Sequence, residues 1–162
     1  MTPRLQPMSD EEAARFADGS MAAYVDDRIN SAESSEVARQ KAETTMAELF
    51  PGGRPAPGHH LYRVLDDDGR AAGWLWIGPH VPEQPDAYWV WLVEIDEAFR
   101  GRGLGRTAML LAETEARALG ATAIGLHVFG ANTAARQLYA SLGYETTSVT
   151  MRKELTDTAA VV

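Results

Sequence analysis

The sequence predicts a mixed α/β fold, in which one sheet of about six strands is flanked by four helices. Residues 60–77 predict a β-hairpin, because two runs rich in branched and aromatic side chains flank an Asp-Asp-Asp-Gly turn. Residues 87–129 predict a strand, a helix and a second strand, and a crossover of this length joins parallel strands. A sheet that contains both an antiparallel hairpin and a parallel crossover belongs to the mixed α/β class.

Each predicted element is a stretch of hydrophobic periodicity bounded by turn or capping residues. A short first strand is predicted at residues 4–8, and branched and aromatic runs predict strands at residues 60–65, 71–77, 87–95, 122–129 and 144–154. The helices are predicted from apolar residues at helical spacing over residues 10–30, 34–50, 105–119 and 132–142. Ser9 and Glu12 form a capping box for the first helix, and Ser34 or Ser35 can cap the second. We expect residues 1–155 to form one domain and residues 156–162 to be a disordered tail.

Composition excludes several classes of function. The chain has 162 residues, no cysteine and a formal net charge of −8. The absence of cysteine excludes disulfides, thiolate metal sites and a cysteine nucleophile, and the four histidines show no metal-ligand spacing. The acidic balance argues against nucleic acid as a partner and favours a cationic one. Because no apolar stretch approaches a membrane span and the N-terminus lacks a signal peptide, we expect a cytoplasmic protein with no membrane partner.

The segment R-G-R-G-L-G, residues 100–105, lies between a predicted strand and a predicted helix. The first N–H groups of a helix have no partner within it and carry partial positive charge, so an anion placed there receives several hydrogen bonds. Arg100, Arg102 and Arg106 add three positive charges. The segment therefore predicts a diphosphate site, although a glycine-rich turn that serves only geometry remains an alternative.

Two common nucleotide motifs do not match this segment. A dinucleotide fingerprint requires a third glycine where this chain has Arg106, and the P-loop pattern with its lysine and hydroxyl pair is absent. The diphosphate therefore belongs to another kind of ligand.

The order of motifs around this segment resembles the GCN5-related N-acetyltransferase (GNAT) superfamily. A strand ending V-E-I-D precedes R-G-R-G-L-G, and a strand ending H-V-F precedes N-x-x-A-x-x-x-Y-x-x-x-G-Y, within residues 89–144. The resemblance implies an α/β (α+β) fold, with a mixed, mostly antiparallel sheet of six to seven strands and about four helices. It also implies that two central parallel strands splay apart around the cofactor. The chain departs from the commonest family pattern at Glu97, where a proline is usual, and we expect only a changed loop entry.

The resemblance implies acetyl-CoA as the donor substrate and assigns its contacts. In the family, the backbone of the strand before the loop pairs with the pantetheine arm, the loop amides hold the pyrophosphate, and an asparagine bonds the pantetheine. Carried onto this chain, the cofactor-binding residues are Val93, Glu94, Ile95, Arg100, Gly101, Arg102, Gly103, Leu104, Gly105, Arg106, Thr107, Asn132, Ala135 and Tyr139.

Two residues of the last motif have both functional and structural interpretations. Tyr139 matches the family tyrosine that protonates the departing thiolate, and a phenol with an ordinary pKa of about 10 is a competent donor. It could instead be a tyrosine packed on the core. Asn132 could hold pantetheine, cap the following helix, or do both.

Glu94 is the candidate general base, acting directly or through water. It is the one carboxylate in the apolar run of residues 87–95, where burial would favour its neutral form and suit it to accept a proton. Alternatively it faces solvent at the strand end or pairs with a loop arginine. A bulge in this strand would change the direction of its side chain.

The acceptor side is less readable. Trp74 with Trp76 and Trp89 with Trp91 form two W-x-W patterns that could receive a cationic amine or form a cross-strand core cluster. Residues 24, 26 and 27, a tyrosine and two aspartates of the first helix, could line an acceptor site or a solvated helix face.

The resemblance therefore implies an acetyl-CoA-dependent N-acetyltransferase that moves the acetyl group directly onto a primary amine, with no metal. The acceptor is expected to be cationic, and the protein a monomer or homodimer. Two alternatives remain: a non-catalytic acyl-CoA-binding regulatory domain, and a transferase that uses a longer acyl-CoA.

Overall fold

The computed structural model describes residues 2–19, 34–81, 84, 86–151, 153 and 155. The chain divides into two compact units, Met1–His127 and Val128–Val162. The predicted tail at 156–162 and the acceptor-side candidates Tyr24, Asp26 and Asp27 lie outside the described residues. The predicted mixed α/β class is confirmed.

The first unit contains a five-stranded mixed sheet in the order β1-β2-β3-β4-β5. Its strands are β1 (Arg4–Pro7), β2 (His60–Leu65), β3 (Ala71–Pro79), β4 (Ala87–Ile95) and β5 (Ala123–Leu126). Neighbours are antiparallel from β1 to β4, whereas β4 and β5 are parallel. The predicted hairpin and the predicted parallel crossover are both confirmed.

Four helices are seen in the described residues. They are α1, helical over residues 10–19, α2 (Ser35–Leu49), α3 (Leu104–Ala118) and, in the second unit, α4 (Thr133–Ser141). The predicted capping box holds α1: the Ser9 N–H donates to Glu12 Oε2 at 3.0 Å, and the Glu12 N–H donates to Ser9 Oγ at 3.3 Å. Ser34 caps α2 by accepting from the Val37 N–H.

Helices cover both faces of the sheet. Leu61 and Tyr62 are consecutive in β2 and therefore point to opposite faces. Leu61 packs in a cluster with Ala13 of α1, whereas the Tyr62 hydroxyl lies 3.4 Å from Glu115 Oε2 of α3. We call these the α1 face and the α3 face. Of the apolar stripe predicted for α3, Ala108, Ala112 and Ala116 are buried and Leu111 is half-buried, whereas Leu119 at the end of the helix is exposed.

A β-bulge in β4 decides which way its last residues point. Trp76 of β3 pairs with Leu92, but the next residue, Ile77, pairs with Val90, so Trp91 is an extra residue on β4. Beyond the bulge, Glu94 lies directly opposite Trp74. Because cross-strand partners share a face, the bulge places Glu94 on the same face as the tryptophans of β3.

Three predictions about strands need correction. β5 is Ala123–Leu126, shorter than the predicted 122–129, and the described residues from 144 to 155 form no strand. The sheet of the described residues therefore has five strands and not six to seven. Residues 145–151 are all exposed, and their Thr-rich run brings only Val149 and Met151 as large apolar side chains. Strand propensity depends on packing against neighbours, so such a run forms no strand by itself.

Candidate functional site

The second half of β4 has an open edge. The β4–β5 register begins at Ala87↔Ala123 and ends at Val90↔Leu126, while β4 continues to Ile95. Among the described residues, no strand pairs with residues 91–95 on that side. This is the arrangement that the family resemblance implies when it predicts two parallel strands that separate.

The backbone groups on this edge can be identified from alternation along β4. The Asp96 N–H donates to the Ala72 carbonyl at 2.9 Å, so Asp96 faces β3. Alternate residues direct their backbone groups to the same side of a strand. Glu94 therefore also faces β3, and the backbone groups of Val93 and Ile95 face the open edge.

The glycine-rich loop leads from this edge to the start of α3. Gly101 and Gly103 have φ of 75° and 78°, a left-handed conformation that other residues adopt at a cost. A Cβ at either position would meet nothing within 4 Å, so the conformation and not the space requires glycine. Gly103 is the N-cap of α3, and its carbonyl accepts from the Thr107 N–H at 3.1 Å. The N–H groups of Leu104 and Gly105 precede that first helical bond, so they have no acceptor within α3, and their role toward a diphosphate stays a prediction.

The loop arginines do more than surround this helix start with charge. Arg100 Nε donates to the Ile95 carbonyl at 2.9 Å, and an Arg102 guanidinium nitrogen donates to the Ala98 carbonyl at 3.2 Å. Arg102 also lies 5.5 Å from the centre of the Phe99 ring. Arg106 is exposed in the first turn of α3. Two of the three predicted positive charges therefore also hold the loop in shape.

Of the environments that the sequence leaves open for Glu94, the structure shows the solvent-facing one. The sequence predicts a carboxylate embedded in an apolar strand, but Glu94 is exposed. The bulge at Trp91 shifts the phase of the strand and turns Glu94, the last residue but one of β4, to the α1 face. Glu94 faces solvent, as one of the two interpretations of the sequence expects. The role of Glu94 as general base stays a prediction.

The four tryptophans lie on the α1 face and pack among themselves and with their neighbours. Trp76 stacks on Trp91 with ring centroids 5.5 Å apart, and Trp89 stacks on the His80 ring at 4.1 Å. The guanidinium group of Arg63 lies over the Trp74 ring, with its carbon 3.6 Å from the ring centroid. The packing supports the cross-strand cluster, and at Trp74 a cation of the chain itself takes the place proposed for the amine.

The second unit contains the remaining candidates. Asn132 caps α4, since its Oδ1 accepts from the Ala135 N–H at 3.1 Å. Tyr139 is half-buried, and its ring lies 5.9 Å from the Tyr144 ring. Burial raises the pKa of the Tyr139 phenol, so the group keeps its proton at neutral pH. The predicted cap is confirmed, and the role of Tyr139 as acid stays a prediction.

Two pairs near the site were not predicted from the sequence. Arg63 is ion-paired to Glu12 at 3.5 Å besides covering Trp74, and Trp76 Nε1 donates to His59 Nδ1 at 3.0 Å. The arginine could have been found, because it lies opposite Trp74 once the hairpin register is known. His59 lies in a loop, so no periodicity signals its contact.

Acidification should weaken the fold through His59. Burial, with a smaller contribution from His60, lowers the pKa of His59 to about 4, from about 6.5 in an unfolded chain. A group with a lowered pKa stabilises the fold above pH 6.5, and this stability is lost as the pH falls toward 4. Loss of the hydrogen bond from Trp76 adds to this loss of stability at low pH, because a protonated His59 could not accept it. We expect His59→Asn, whose Oδ1 can replace Nδ1 as acceptor, to lose less thermal stability than the wild type between pH 7 and pH 4.5. Identical pH dependence of the two melting temperatures would contradict this.

Comparison with known proteins identifies the family. The sequence profile of the acetyltransferase (GNAT) family matches residues 21–144 of the chain. The chain belongs to the GNAT family. It is therefore an acetyltransferase, and the loop, the open edge of β4 and α4 described above all lie within the matched residues.

Individual relatives of this acetyltransferase support the family assignment. The uncharacterized N-acetyltransferase YdgE of Bacillus subtilis is 34% identical over 153 residues, which cover 93% of this chain and 97% of YdgE. The crystal structure of the acetyltransferase YycN from Bacillus subtilis has a TM-score of 0.82 and 30% identity, covering 96% of this chain and 100% of YycN. An L-2,4-diaminobutyric acid acetyltransferase of Streptomyces coelicolor is 35% identical over 97 residues, 59% of this chain and 56% of that enzyme.

No described helix has the length and apolar character needed to cross a lipid bilayer. Likewise, no three metal-ligating side chains come together in the part of the chain that the structure describes.

Proposed function

We propose that this acetyltransferase uses acetyl-CoA and transfers the acetyl group directly to a primary amine. The observation that carries the proposal is that two sets of backbone N–H groups, on the open edge of β4 and at the start of α3, follow each other along the chain. The open edge of β4 ends at Ile95, and after the glycine-rich loop the N-terminus of α3 begins at Leu104. A ligand with an amide-bearing arm and a diphosphate matches this order of strand edge and helix start.

The pantetheine arm and the pyrophosphate of coenzyme A have chemical counterparts among the described residues. The backbone N–H and C=O groups of Val93 and the Ile95 N–H can pair with the pantetheine amides, as a neighbouring strand would. The N–H groups of Leu104 and Gly105 can receive the pyrophosphate, which the partial positive charge of the helix start stabilises. The side chain of Asn132 caps α4 through Oδ1, and its amide N–H₂ group can donate to pantetheine.

The proposed reaction is a single transfer without an acetyl-enzyme. The amine nitrogen forms a bond to the thioester carbonyl carbon, the carbon–sulfur bond breaks, and the electron pair of that bond leaves with sulfur. Glu94 takes a proton from the ammonium form of the substrate, directly or through water, which gives the neutral amine that attacks, and Tyr139 gives its proton to the thiolate. The products are the acetylated amine and the thiol of coenzyme A. The nitrogen loses its second proton to solvent, Glu94 releases its proton to solvent, and solvent restores the proton on Tyr139.

A cationic amine suits the charges of the chain. The net charge of −8 favours approach of a cation, and the exposed Glu94 carboxylate can meet an ammonium group before deprotonation. The Streptomyces coelicolor relative is named for a small diamino acid, which supports amines of this size as acceptors. Trp74 is less suited to this task, since Arg63 already lies over its ring.

A screen for release of coenzyme A over a panel of amines tests the proposal. The panel contains polyamines, basic amino acids, aminoglycosides and lysine peptides, each with acetyl-CoA and a thiol reagent. We expect amine-dependent thiol release in at least one well, with the acetylated amine confirmed by mass spectrometry. Thiol release with propionyl-CoA or succinyl-CoA but none with acetyl-CoA would replace the donor, and binding without release from any donor would favour a regulatory acyl-CoA-binding domain.

A further inference from the structure

The side chain of Arg100 returns to the strand from which its loop departs. Its Nε donates to the Ile95 carbonyl at 2.9 Å, five residues back in the chain. Between the two, the Phe99 N–H donates to the Asp96 carbonyl at 2.8 Å, and Asp96 is itself held to β3 through Ala72. The loop from Ile95 to Arg100 is therefore closed by a side-chain bond at its two ends.

This bond joins the two sets of donors that the proposed function requires. The Ile95 carbonyl lies on the open edge of β4, beside the N–H groups expected to face pantetheine. Arg100 stands three residues before Gly103, the N-cap of α3. The hydrogen bond between them restrains the first part of the loop that joins the strand edge to the helix start, and it gives the Ile95 carbonyl a donor on an edge without a described strand partner.

We propose that Arg100 is a positioning residue that acts through the Nε–H bond to Ile95, and that its positive charge on the diphosphate is secondary. This inference rests on the proposed function, because its kinetic consequence is measured with acetyl-CoA. Holding both donor sets in a fixed relation before binding reduces the ordering cost that the ligand would otherwise meet.

Three substitutions separate the hydrogen bond from the charge. In Arg100→Gln, the amide Nε2 stands at the same number of bonds from Cα as the arginine Nε, so the donor remains and the charge is lost. In Arg100→Lys, the charge remains, but a methylene group occupies the place of Nε. Arg100→Met keeps comparable length and removes both the donor and the charge.

The Michaelis constant for acetyl-CoA should depend on whether residue 100 keeps its hydrogen-bond donor, and not on whether it keeps its positive charge. We expect KM to stay within about threefold of wild type in Arg100→Gln and to rise about tenfold in Arg100→Met and Arg100→Lys, the loss expected for one hydrogen bond of roughly 1.4 kcal/mol. Amide hydrogen exchange over residues 96–105 of the ligand-free protein should be faster in the Met and Lys variants than in wild type and Arg100→Gln.

Other outcomes overturn the assignment. A wild-type KM in Arg100→Lys together with a raised KM in Arg100→Gln would show that charge is what matters, and three variants that all match wild type would show that the bond has no role. The exchange measurement needs no acetyl-CoA, so it tests the bond even where the proposed function fails. Failure of the wild-type protein to bind acetyl-CoA would contradict the proposed function and leave the exchange pattern as the test of Arg100.

Discussion

Replacement of Tyr139 by phenylalanine should lower kcat about 100-fold, because general acid catalysis of this kind contributes roughly 10² to 10⁴. The phenol keeps its proton at neutral pH, since burial raises its pKa. The wild-type enzyme should therefore show no alkaline loss of kcat from this group up to about pH 10, the ordinary value for tyrosine. Steady-state rates of thiol release between pH 7 and pH 10 measure both effects.

Tyr144→Phe is the matched control for this prediction. The Tyr144 ring lies 5.9 Å from the Tyr139 ring in the same unit, and both substitutions remove only a phenol oxygen. We expect this variant to keep kcat and both KM values within about threefold of wild type, within the small effect of an ordinary substitution on a folded protein. A Tyr139→Phe variant with unchanged kcat would mean that the residue serves packing alone.

Replacement of Glu94 by glutamine should lower kcat about 100-fold at neutral pH and leave KM for acetyl-CoA unchanged. The substitution keeps the shape of the side chain and removes its ability to accept a proton. Because solvent deprotonates the amine at high pH, the rate of Glu94→Gln should rise toward wild type as the pH approaches about 10, near the ordinary pKa of an alkyl ammonium group. The measurement is the pH profile of kcat for both proteins.

Glu97→Gln supplies the control for charge. Glu97 is an exposed carboxylate three residues further on, in the short turn Glu97–Phe99. It should change kcat less than about threefold, as expected for a surface substitution away from the chemistry. If Glu94→Gln and Glu97→Gln have equal effects, or if the deficit of Glu94→Gln persists unchanged to pH 10, Glu94 is not the base.

The sequence predicts the elements that depend on local signals. The Ser9 and Glu12 capping box, the Ser34 cap and the aromatic run of β4 act within a few residues, so their consequences can be read from neighbouring letters. The glycines of the loop likewise indicate a left-handed backbone conformation. These signals place the candidate cofactor residues at the end of β4 and the start of α3.

The sequence does not predict features that depend on register or on partners far along the chain. The bulge at Trp91 is one extra residue against β3, and no periodicity in β4 shows it, yet it decides where Glu94 points. The run at 144–154 has strand propensity, but its residues 145–151 are all exposed and form no strand. The return of Arg100 to Ile95 is a side-chain conformation, which residue type alone does not determine.

Calorimetric titration of the wild-type protein with acetyl-CoA tests whether the β4 edge and the α3 start recognise the acetyl donor, a step that precedes every later one. We expect saturable one-to-one binding with a dissociation constant in the range of about 1 μM to 1 mM that enzymes use for substrates. Absence of binding at millimolar acetyl-CoA would contradict it.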